Sequence, residues 1–260
     1  MKGPLSYVGG KNRFISIILP MIPEHTTYVE PFSGGAQVFF QKKSSKVEVL
    51  NDLDGELVNF YRVCQSHYEE LLRYMRFLIV SRDWYTRLQN TPPESLTDIQ
   101  RAGRYFYLQK NTFGGRVANQ SYAIHVVNGP GFSTARLTKL IEGAHARLDK
   151  VQIEHMPYER VIAKYDRPET FFYIDPPYYG VNGLYRFDFS HEQFEQLAEQ
   201  LKTLKGKFLL SVNDHPAIRE MFSAFHIGTV SVAYSLQKHA GRKYQELLIK
   251  WSARSFMYQF

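Results

Sequence analysis

The stretch "TFFYIDPPYYG" (residues 170–180) decides the fold, because an apolar run within it ends directly on an acid. The run FFYI is continuous and apolar, which is typical of a short strand buried on both faces of a sheet. Asp175 follows it, and Pro176 and Pro177 then fix the backbone and remove two amide donors. Because ligands of parallel sheets bind beyond the carboxyl ends of the strands, Asp175 is predicted to lie in a binding site.

Other segments repeat this pattern along the chain. Two earlier apolar segments also end on acids, "TTYVEPF" at Glu30 and "VEVLND" at Asp52. Two further segments are predicted strands, "VQIEH" (151–155) and "KFLLSVND" (207–214). Helical patterns separate the strands, at 35–43, 55–65 and 190–204. This alternation predicts an α/β fold with a doubly wound, mostly parallel sheet.

The last part of the chain departs from the alternation. The strand-like runs 225–235 and 244–251 have no helix between them, which predicts an antiparallel hairpin at the edge of the sheet.

Residues 54–136 also interrupt the alternation and predict an insertion. The segment reads as mainly helical to about residue 110 and is then rich in Gly, Asn and Ser. Within it, "SYAIHVV" followed by "NGPG" (121–131) predicts a strand and a tight turn, as in a β-hairpin. We therefore expect a catalytic domain formed by 1–53 and 137–260, with a second unit formed by 54–136.

The positive charge of the chain is concentrated in one segment. The net charge is +7, and residues 101–150 contain eight Lys or Arg against two acids. A local basic excess favours a phosphate-rich partner such as nucleic acid. An ordinary solvated basic face is the alternative that charge alone leaves open.

The composition argues against several classes of protein. No apolar run approaches the roughly 18 residues that a membrane span needs, and the N-terminus lacks a secretory signal pattern. Cys64 is the only cysteine and lies within a helical pattern, so it is predicted to be a packing residue. The histidines show no metal-binding spacing. We expect a cytoplasmic protein of a bacterial or phage-infected host cell, with no membrane partner and no metal.

The turn after Asp175 suits a planar group that carries an amine. The carboxylate of Asp175 and the carbonyl of Pro176 are two acceptors, and Tyr178 adds a flat face. An adenine could donate both N–H groups of its amine to these acceptors and stack on the ring. The alternative interpretation is a rigid turn in which the acid caps a helix.

These residues also carry a family resemblance. "DPPY" after "FFYI" resembles the catalytic motif of the amino-methyltransferases that use S-adenosylmethionine. "YVEPFSGGAQVFF" (28–40) resembles their methionine-binding glycine motif, and "LSYVGGKNRFI" (5–15) is similar to the opening motif of Dam-like DNA adenine methyltransferases. The resemblance covers nearly the whole chain and keeps the family's order of motifs, with a recognition insertion before DPPY. It implies a Rossmann-like class I methyltransferase fold.

The resemblance also implies a reaction and a set of site residues. The expected reaction moves a methyl group from S-adenosylmethionine to N6 of an adenine flipped out of double-stranded DNA, without a covalent enzyme intermediate. The implied catalytic residues are Asp175, Pro176, Pro177 and Tyr178, with Tyr178 stacked on the flipped base. The implied cofactor-binding residues are Tyr7, Lys11, Glu30, Phe32, Gly34, Asp52, Tyr158 and Asp175.

The insertion departs from the family pattern and leaves the recognition sequence open. Lys110, Arg116, Asn119 and Arg136 are the candidate DNA contacts, but the family's "PFG" element is missing. The site could be GATC or a different or relaxed sequence. An amino-methyltransferase acting on RNA adenine, cytosine N4 or a protein glutamine, and a non-catalytic DNA-binding relative, are the rival hypotheses. The sequence predicts neither the biological role nor the oligomeric state.

Overall fold

A computed structural model describes residues 1–123, 132–233 and 243–251 of the chain. Its centre is one seven-stranded sheet in the order β3-β2-β1-β4-β5-β7-β6. The strands are β1 (Thr27–Glu30), β2 (Val47–Asn51), β3 (Gln152–Glu154), β4 (Thr170–Ile174), β5 (Lys207–Asn213), β6 (His226–Ala233) and β7 (Lys243–Lys250). Strands β1 to β5 are parallel to one another, and β7 is antiparallel to both β5 and β6. The predicted α/β sheet with an antiparallel edge hairpin is therefore confirmed.

Ten α-helices accompany the sheet in the described residues. They are α1 (Ile15–Ile18), α2 (Gln37–Gln41), α3 (Gly55–Ser66), α4 (Tyr68–Met75), α5 (Arg82–Asn90), α6 (Asp98–Asn111), α7 (Thr134–Leu148), α8 (Tyr158–Tyr165), α9 (His191–Lys202) and α10 (Pro216–Met221). Helix α2 is shorter than the predicted 35–43. The turn before it uses left-handed backbone at Gly34 and Ala36, so regular helix begins only at Gln37.

Alternating side chains of the strands bury both faces of the sheet. Tyr28 and Phe171 point into one hydrophobic core, which also contains apolar side chains of α3 to α7. Val29 and Phe172 point into a second core, packed against α8, α9 and α10. Because side chains alternate with period two along a strand, continuous apolar runs cover both faces at once.

The strand ends place three acids along one edge of the sheet. Glu30 ends β1, Asp52 follows the end of β2, and Asp175 follows the end of β4. Since β1 lies between β2 and β4 in parallel register, the three positions are neighbours. This edge is the one at which the sequence predicts ligand binding.

The segment 54–136 packs closely on the sheet. Buried side chains of α3 to α6 belong to the same hydrophobic core as Tyr28 and Phe171. An antiparallel bridge joins Thr112 to Tyr122 and closes the loop between them. Most of the predicted strand and turn at 121–131 lies outside the described residues, since 124–131 are not among them. The assignment of 54–136 as a DNA-recognition unit stays a prediction.

None of the helices in residues 1–123, 132–233 and 243–251 has the length and apolar character needed to cross a membrane. Within the same residues, no three His, Cys, Asp or Glu side chains are grouped as metal ligands. Cys64 is fully buried inside α3, as expected for a packing residue.

Candidate active site

Asp175 forms an ion pair with the buried Lys11 at the carboxyl edge of the sheet. Lys11 follows the glycines of "GGKN" in a short 3-10 helix, and its side chain is only 3% exposed. Its Nζ donates to Oδ1 of Asp175 at 2.6 Å and to the carbonyl of Gly9 at 3.0 Å. Two predicted site residues that are 164 positions apart are thus in direct contact.

Burial and neighbouring charges shift the pKa values of this pair. Burial disfavours the charged ammonium of Lys11, but the carboxylates of Asp175 and Glu246 outweigh it and raise the lysine pKa well above its usual value. Burial raises the pKa of Asp175 to about 6, against the opposing effect of Lys11. Lys11 is therefore a permanent cation at neutral pH, and Asp175 is a carboxylate that is easily protonated in mild acid.

Tyr178 is held through its hydroxyl group. The phenol donates to Oε1 of Glu246 and accepts from Nζ of Lys11 at 3.2 Å. The same Nζ lies 4.9 Å from the centre of the Tyr178 ring. Glu246 comes from β7 and is buried.

A glycine turn follows β1 and lies against the ring of Tyr7. Gly34 has a positive φ of 45°, which favours glycine, and a Cβ there would lie 3.1 Å from the Tyr7 ring. Its carbonyl accepts from the hydroxyl of Tyr61 at 2.7 Å. Glycine at this position therefore allows the backbone of the turn to lie close to Tyr7 of the opening motif.

Asp52 binds the backbone of this turn. Its Oδ2 accepts from the amide of Gly34 at 2.9 Å, and its Oδ1 accepts from the amide of Asp54 at 3.0 Å. Burial raises the pKa of Asp52 to about 6, and the two amide hydrogen bonds oppose that rise. The carboxylate is thus fixed at the end of β2 and faces the adjoining cavity.

Two adjoining cavities lie along this edge. The larger has a volume of about 300 Å³ and runs from Asp52 to Asp175. The smaller has about 40 Å³ and lies between the glycine turn and Lys11. Five residues line both cavities, which are Tyr7, Phe32, Gly34, Asp175 and Tyr185. Asp175 therefore stands where the two spaces meet.

Aromatic side chains line the larger cavity. Phe32 and Tyr158 are stacked with ring centres 5.2 Å apart, and Phe189 packs edge-on against Phe32 at 5.4 Å. Asn51 fixes the spacing of this wall, since its amide binds the carbonyls of Pro31 and Met156 at 2.9 and 3.0 Å. Phe32 and Tyr158, which are both predicted to bind the cofactor, thus lie in one apolar wall.

The loop after DPPY supplies wall residues that sequence reasoning missed. Tyr185, Arg186 and Phe189 line the larger cavity. Arg186 forms an ion pair with Asp54 at 3.3 Å and so connects this loop to the start of α3. The loop has no periodic pattern, and an aromatic residue within it gives no signal of its own.

Glu30 is placed differently from the other predicted acids. It is buried, and it accepts from the hydroxyl of Tyr28 at 2.6 Å and from the amide of Phe39 at 2.8 Å. Burial raises the pKa of Glu30 to about 8 despite these hydrogen bonds. Glu30 lines the smaller cavity, but its hydrogen bonds tie β1 to α2.

The loop of Arg116 and Asn119 lies against the loop after DPPY. The amides of Val117 and Ala118 both donate to the carbonyl of Leu184 at 3.2 Å. The side-chain amide of Asn119 donates to the carbonyl of Gly183 at 3.2 Å, so this candidate DNA contact also holds the two loops together. The insertion therefore borders the mouth of the site.

The other two candidate DNA contacts lie on different elements. Lys110 is half-buried at the end of α6, with Nζ 5.4 Å from the ring of Phe106, and burial lowers its pKa to about 8. Arg136 is exposed in the first turn of α7. A DNA-binding role for these four side chains stays a prediction.

Comparisons with known proteins agree with this geometry. Residues 7–236 match the family described as D12 class N6 adenine-specific DNA methyltransferase. The chain is 26% identical to the Type II methyltransferase M.CviBI of Paramecium bursaria Chlorella virus NC1A, over 95% of this chain and 96% of that protein. It is 28% identical to the Type II methyltransferase M1.LlaDCHI of Lactococcus lactis subsp. cremoris, over 85% and 84%. It is 26% identical to the DNA N-6-adenine-methyltransferase of Escherichia phage P1, over 83% of this chain and 30% of that protein. The family match extends from the opening motif past the DPPY turn, and this chain belongs to the D12 class N6 adenine-specific DNA methyltransferases.

Proposed function

We propose that this enzyme uses S-adenosylmethionine to methylate N6 of an adenine that is flipped out of double-stranded DNA, at a specific site. Family membership establishes adenine methylation in DNA and the need for a methyl donor. The observation that carries the finer proposal is the position of Asp175, which lines both cavities and binds Lys11 through Oδ1. A donor bound in these spaces and an extrahelical base could both reach the carboxylate.

The residues that line the cavities fit S-adenosylmethionine. The larger cavity lies at the lower end of the roughly 300–1,000 Å³ typical of ligand pockets. Asp52 would accept hydrogen bonds from ribose hydroxyls, as acids at this strand end commonly do. The wall of Phe32, Tyr158 and Phe189 would hold the adenine ring. Glycine at position 34 would let the methionine part approach the backbone.

The chain's own groups would orient the target amine and exclude water. The bound donor supplies an electrophilic methyl group on a sulfonium. Asp175 and the carbonyl of Pro176 would accept the two N–H groups of N6, which directs the lone pair of the nitrogen toward that methyl carbon. Tyr178 would stack on the base. The carboxylate of Asp175 would be within reach of N6 in this arrangement and would take the proton that the amine loses.

The duplex must be opened for this geometry, because an adenine inside a helix cannot reach Asp175. Base flipping costs a few kcal/mol. The basic segment 101–150 would offset this cost through phosphate contacts. Lys110, Arg116, Asn119 and Arg136 are the residues proposed for DNA binding, and GATC is one candidate site. Because its substrate is DNA, we propose that the enzyme acts in the cytoplasm of a bacterial or phage-infected cell.

A direct methylation assay tests the proposed function. Unmethylated duplex DNA is incubated with the protein and S-adenosylmethionine, digested to nucleosides and analysed by mass spectrometry. We expect N6-methyladenine in the DNA. Methylation of RNA, of cytosine N4 or of a protein glutamine alone would overturn the proposal, as would a protein that binds DNA but transfers no methyl group.

The pH dependence of the rate should report the ionisation of Asp175. Its pKa is raised to about 6, and protonation removes an acceptor of the target amine. The value of kcat/KM should therefore fall about tenfold per unit as pH drops below about 6. Asp52 titrates in the same range, so the Asp52→Asn variant serves to isolate the contribution of Asp175. If kcat/KM stayed constant down to pH 4.5 in both the wild type and Asp52→Asn, the pH dependence could not be assigned to Asp175.

Asp52→Asn should weaken cofactor binding without slowing the methyl-transfer step. Loss of charge-assisted hydrogen bonds to the ribose should raise the Kd for S-adenosylmethionine about 10- to 100-fold, with kcat at saturation little changed. Calorimetric titration measures the Kd. The matched control is Asp166→Asn, because Asp166 also accepts backbone amides, those of Lys205 and Gly206, but precedes β4 at the opposite edge of the sheet. Equal Kd values for the two variants would exclude the ribose role.

A further inference from the structure

Glu246 is a buried acid that reaches the catalytic turn from the edge hairpin of the sheet. Its side chain is 4% exposed. Its Oε1 accepts from the hydroxyl of Tyr178 and lies 3.3 Å from Nζ of Lys11. Its Oε2 is buried without a hydrogen-bond partner among the residues that the structure describes. Burying a carboxylate with one unsatisfied oxygen costs free energy. Packing alone therefore does not explain why an acid occupies this position.

Strand pairing brings Glu246 to this position. Glu246 on β7 is the partner of Asn213 on β5. The Asn213 side chain binds both backbone groups of Tyr179, accepting its amide at 2.9 Å and donating to its carbonyl at 3.1 Å. Two paired residues, Glu246 on β7 and Asn213 on β5, therefore hold two consecutive tyrosines of the DPPYY turn, one through its phenol and the other through its backbone.

Glu246 lines neither of the two cavities. It contacts Lys11, which lines the smaller one and pairs with Asp175, and it contacts the phenol of Tyr178. The direct contacts of Glu246 with the site therefore run through these two side chains, and its charge also acts on Asp175.

We propose that Glu246 is a positioning residue for methyl transfer, which fixes the phenol of Tyr178 and the ammonium of Lys11 for the flipped adenine. This inference rests on the proposed function and adds the edge hairpin to the catalytic apparatus. A phenol anchored at its hydroxyl presents one ring face before the base arrives, so less conformational freedom is lost on binding.

The test is a double-mutant cycle with Glu246→Ala and Tyr178→Phe. Glu246→Ala should lower kcat about 10- to 100-fold, the range for a lost hydrogen bond to a charged group. The Kd for S-adenosylmethionine should stay near the wild-type value, because Asp52 and the aromatic wall of the larger cavity remain unchanged. Once Tyr178→Phe has removed the phenol, Glu246→Ala should cost much less than it does alone, since the two act as a unit. Glu246→Gln keeps an acceptor oxygen and should recover part of the rate.

Glu48→Ala is the matched control. Glu48 is also a buried acid on a strand, paired with Lys42 and Arg147, and it lines neither cavity. This variant should lose stability but keep the wild-type kcat per folded molecule. The proposal is overturned if Glu246→Ala behaves like Glu48→Ala, or if the effects of Glu246→Ala and Tyr178→Phe multiply. An inactive wild-type protein would overturn the proposed function itself, whereas an active wild type with an unaffected Glu246→Ala overturns only the positioning role.

Discussion

Asp175→Asn should reduce the rate of adenine methylation by at least about 10²-fold, which is the scale on which enzymes lose rate when one preorganised polar contact to the reacting group is removed. The amide keeps the size of the side chain, but it loses the negative charge that accepts N6–H and takes the proton. Single-turnover methylation of duplex DNA measures this loss. S-adenosylmethionine should still bind, because Asp52 and the aromatic wall remain.

Loss of folding should not explain that result. The folded-state pKa of Asp175, about 6, is above its usual value of 3.8, so ionised Asp175 opposes folding. Its stabilising contribution is present below pH 4 and is lost as pH rises through 6, a difference on the order of 3 kcal/mol. Lys11 keeps Glu246 as a counter-ion at 3.3 Å in this variant. At pH 8, Asp175→Asn should therefore unfold at a temperature no lower than that of the wild type.

A matched acid at the next strand end provides the control. Asp214 follows β5 as Asp175 follows β4, but it pairs with Arg219 at 2.7 Å and lines neither cavity. Asp214→Asn should methylate DNA at the wild-type rate. If both variants were equally active, Asp175 would not be the group that receives the target amine.

The sequence was sufficient for features that depend on local pattern. Apolar runs that end on acids located Asp52 and Asp175, because a parallel sheet places all such ends at one edge. The glycine motif predicted the position of Gly34. The structure gives the physical reason, because the positive φ of Gly34 and its close approach to Tyr7 both disfavour a larger side chain. The resemblance of the opening motif implied that Lys11 binds the cofactor, and the structure places it in contact with Asp175.

Features that depend on long-range strand pairing or loop contacts could not be predicted from the local sequence pattern. Glu246 becomes a partner of Tyr178 through the antiparallel pairing of β7 with β5, and nothing near it in the sequence distinguishes it from an exposed acid. Tyr185 and Arg186 come from an irregular loop whose path is set by contacts with Gly9 and Asp54. The role of Asn119 was ambiguous for a similar reason, because a polar side chain in a loop can bind the chain itself as readily as a base.

Lys11→Met should impair both stability and methyl transfer, because it removes the cation shared by Asp175 and Glu246. The buried carboxylate of Glu246 and the partly exposed carboxylate of Asp175 would then face each other without a counter-ion. Loss of one partner of a fully buried pair costs about 3–5 kcal/mol, which is the upper bound for this variant. The ammonium of Lys11 holds down the pKa of Asp175 in the folded protein, so that pKa should rise further in the variant. The loss of unfolding free energy should therefore be large at pH 8 and shrink as pH falls and Asp175 takes up a proton. Denaturant unfolding at pH 8 and pH 5 measures this difference.

The Lys42→Met variant distinguishes a lost buried charge from a lost catalytic group. Lys42 is equally buried and pairs with Glu48, so its removal should also lower stability. It lies outside the cavities, and the folded fraction of that variant should keep the wild-type kcat. Lys11→Met should instead lose rate even where it is fully folded, because Asp175 and Tyr178 both take their positions from the same ammonium. Equal kcat values for the two folded variants would mean that Lys11 serves the fold alone.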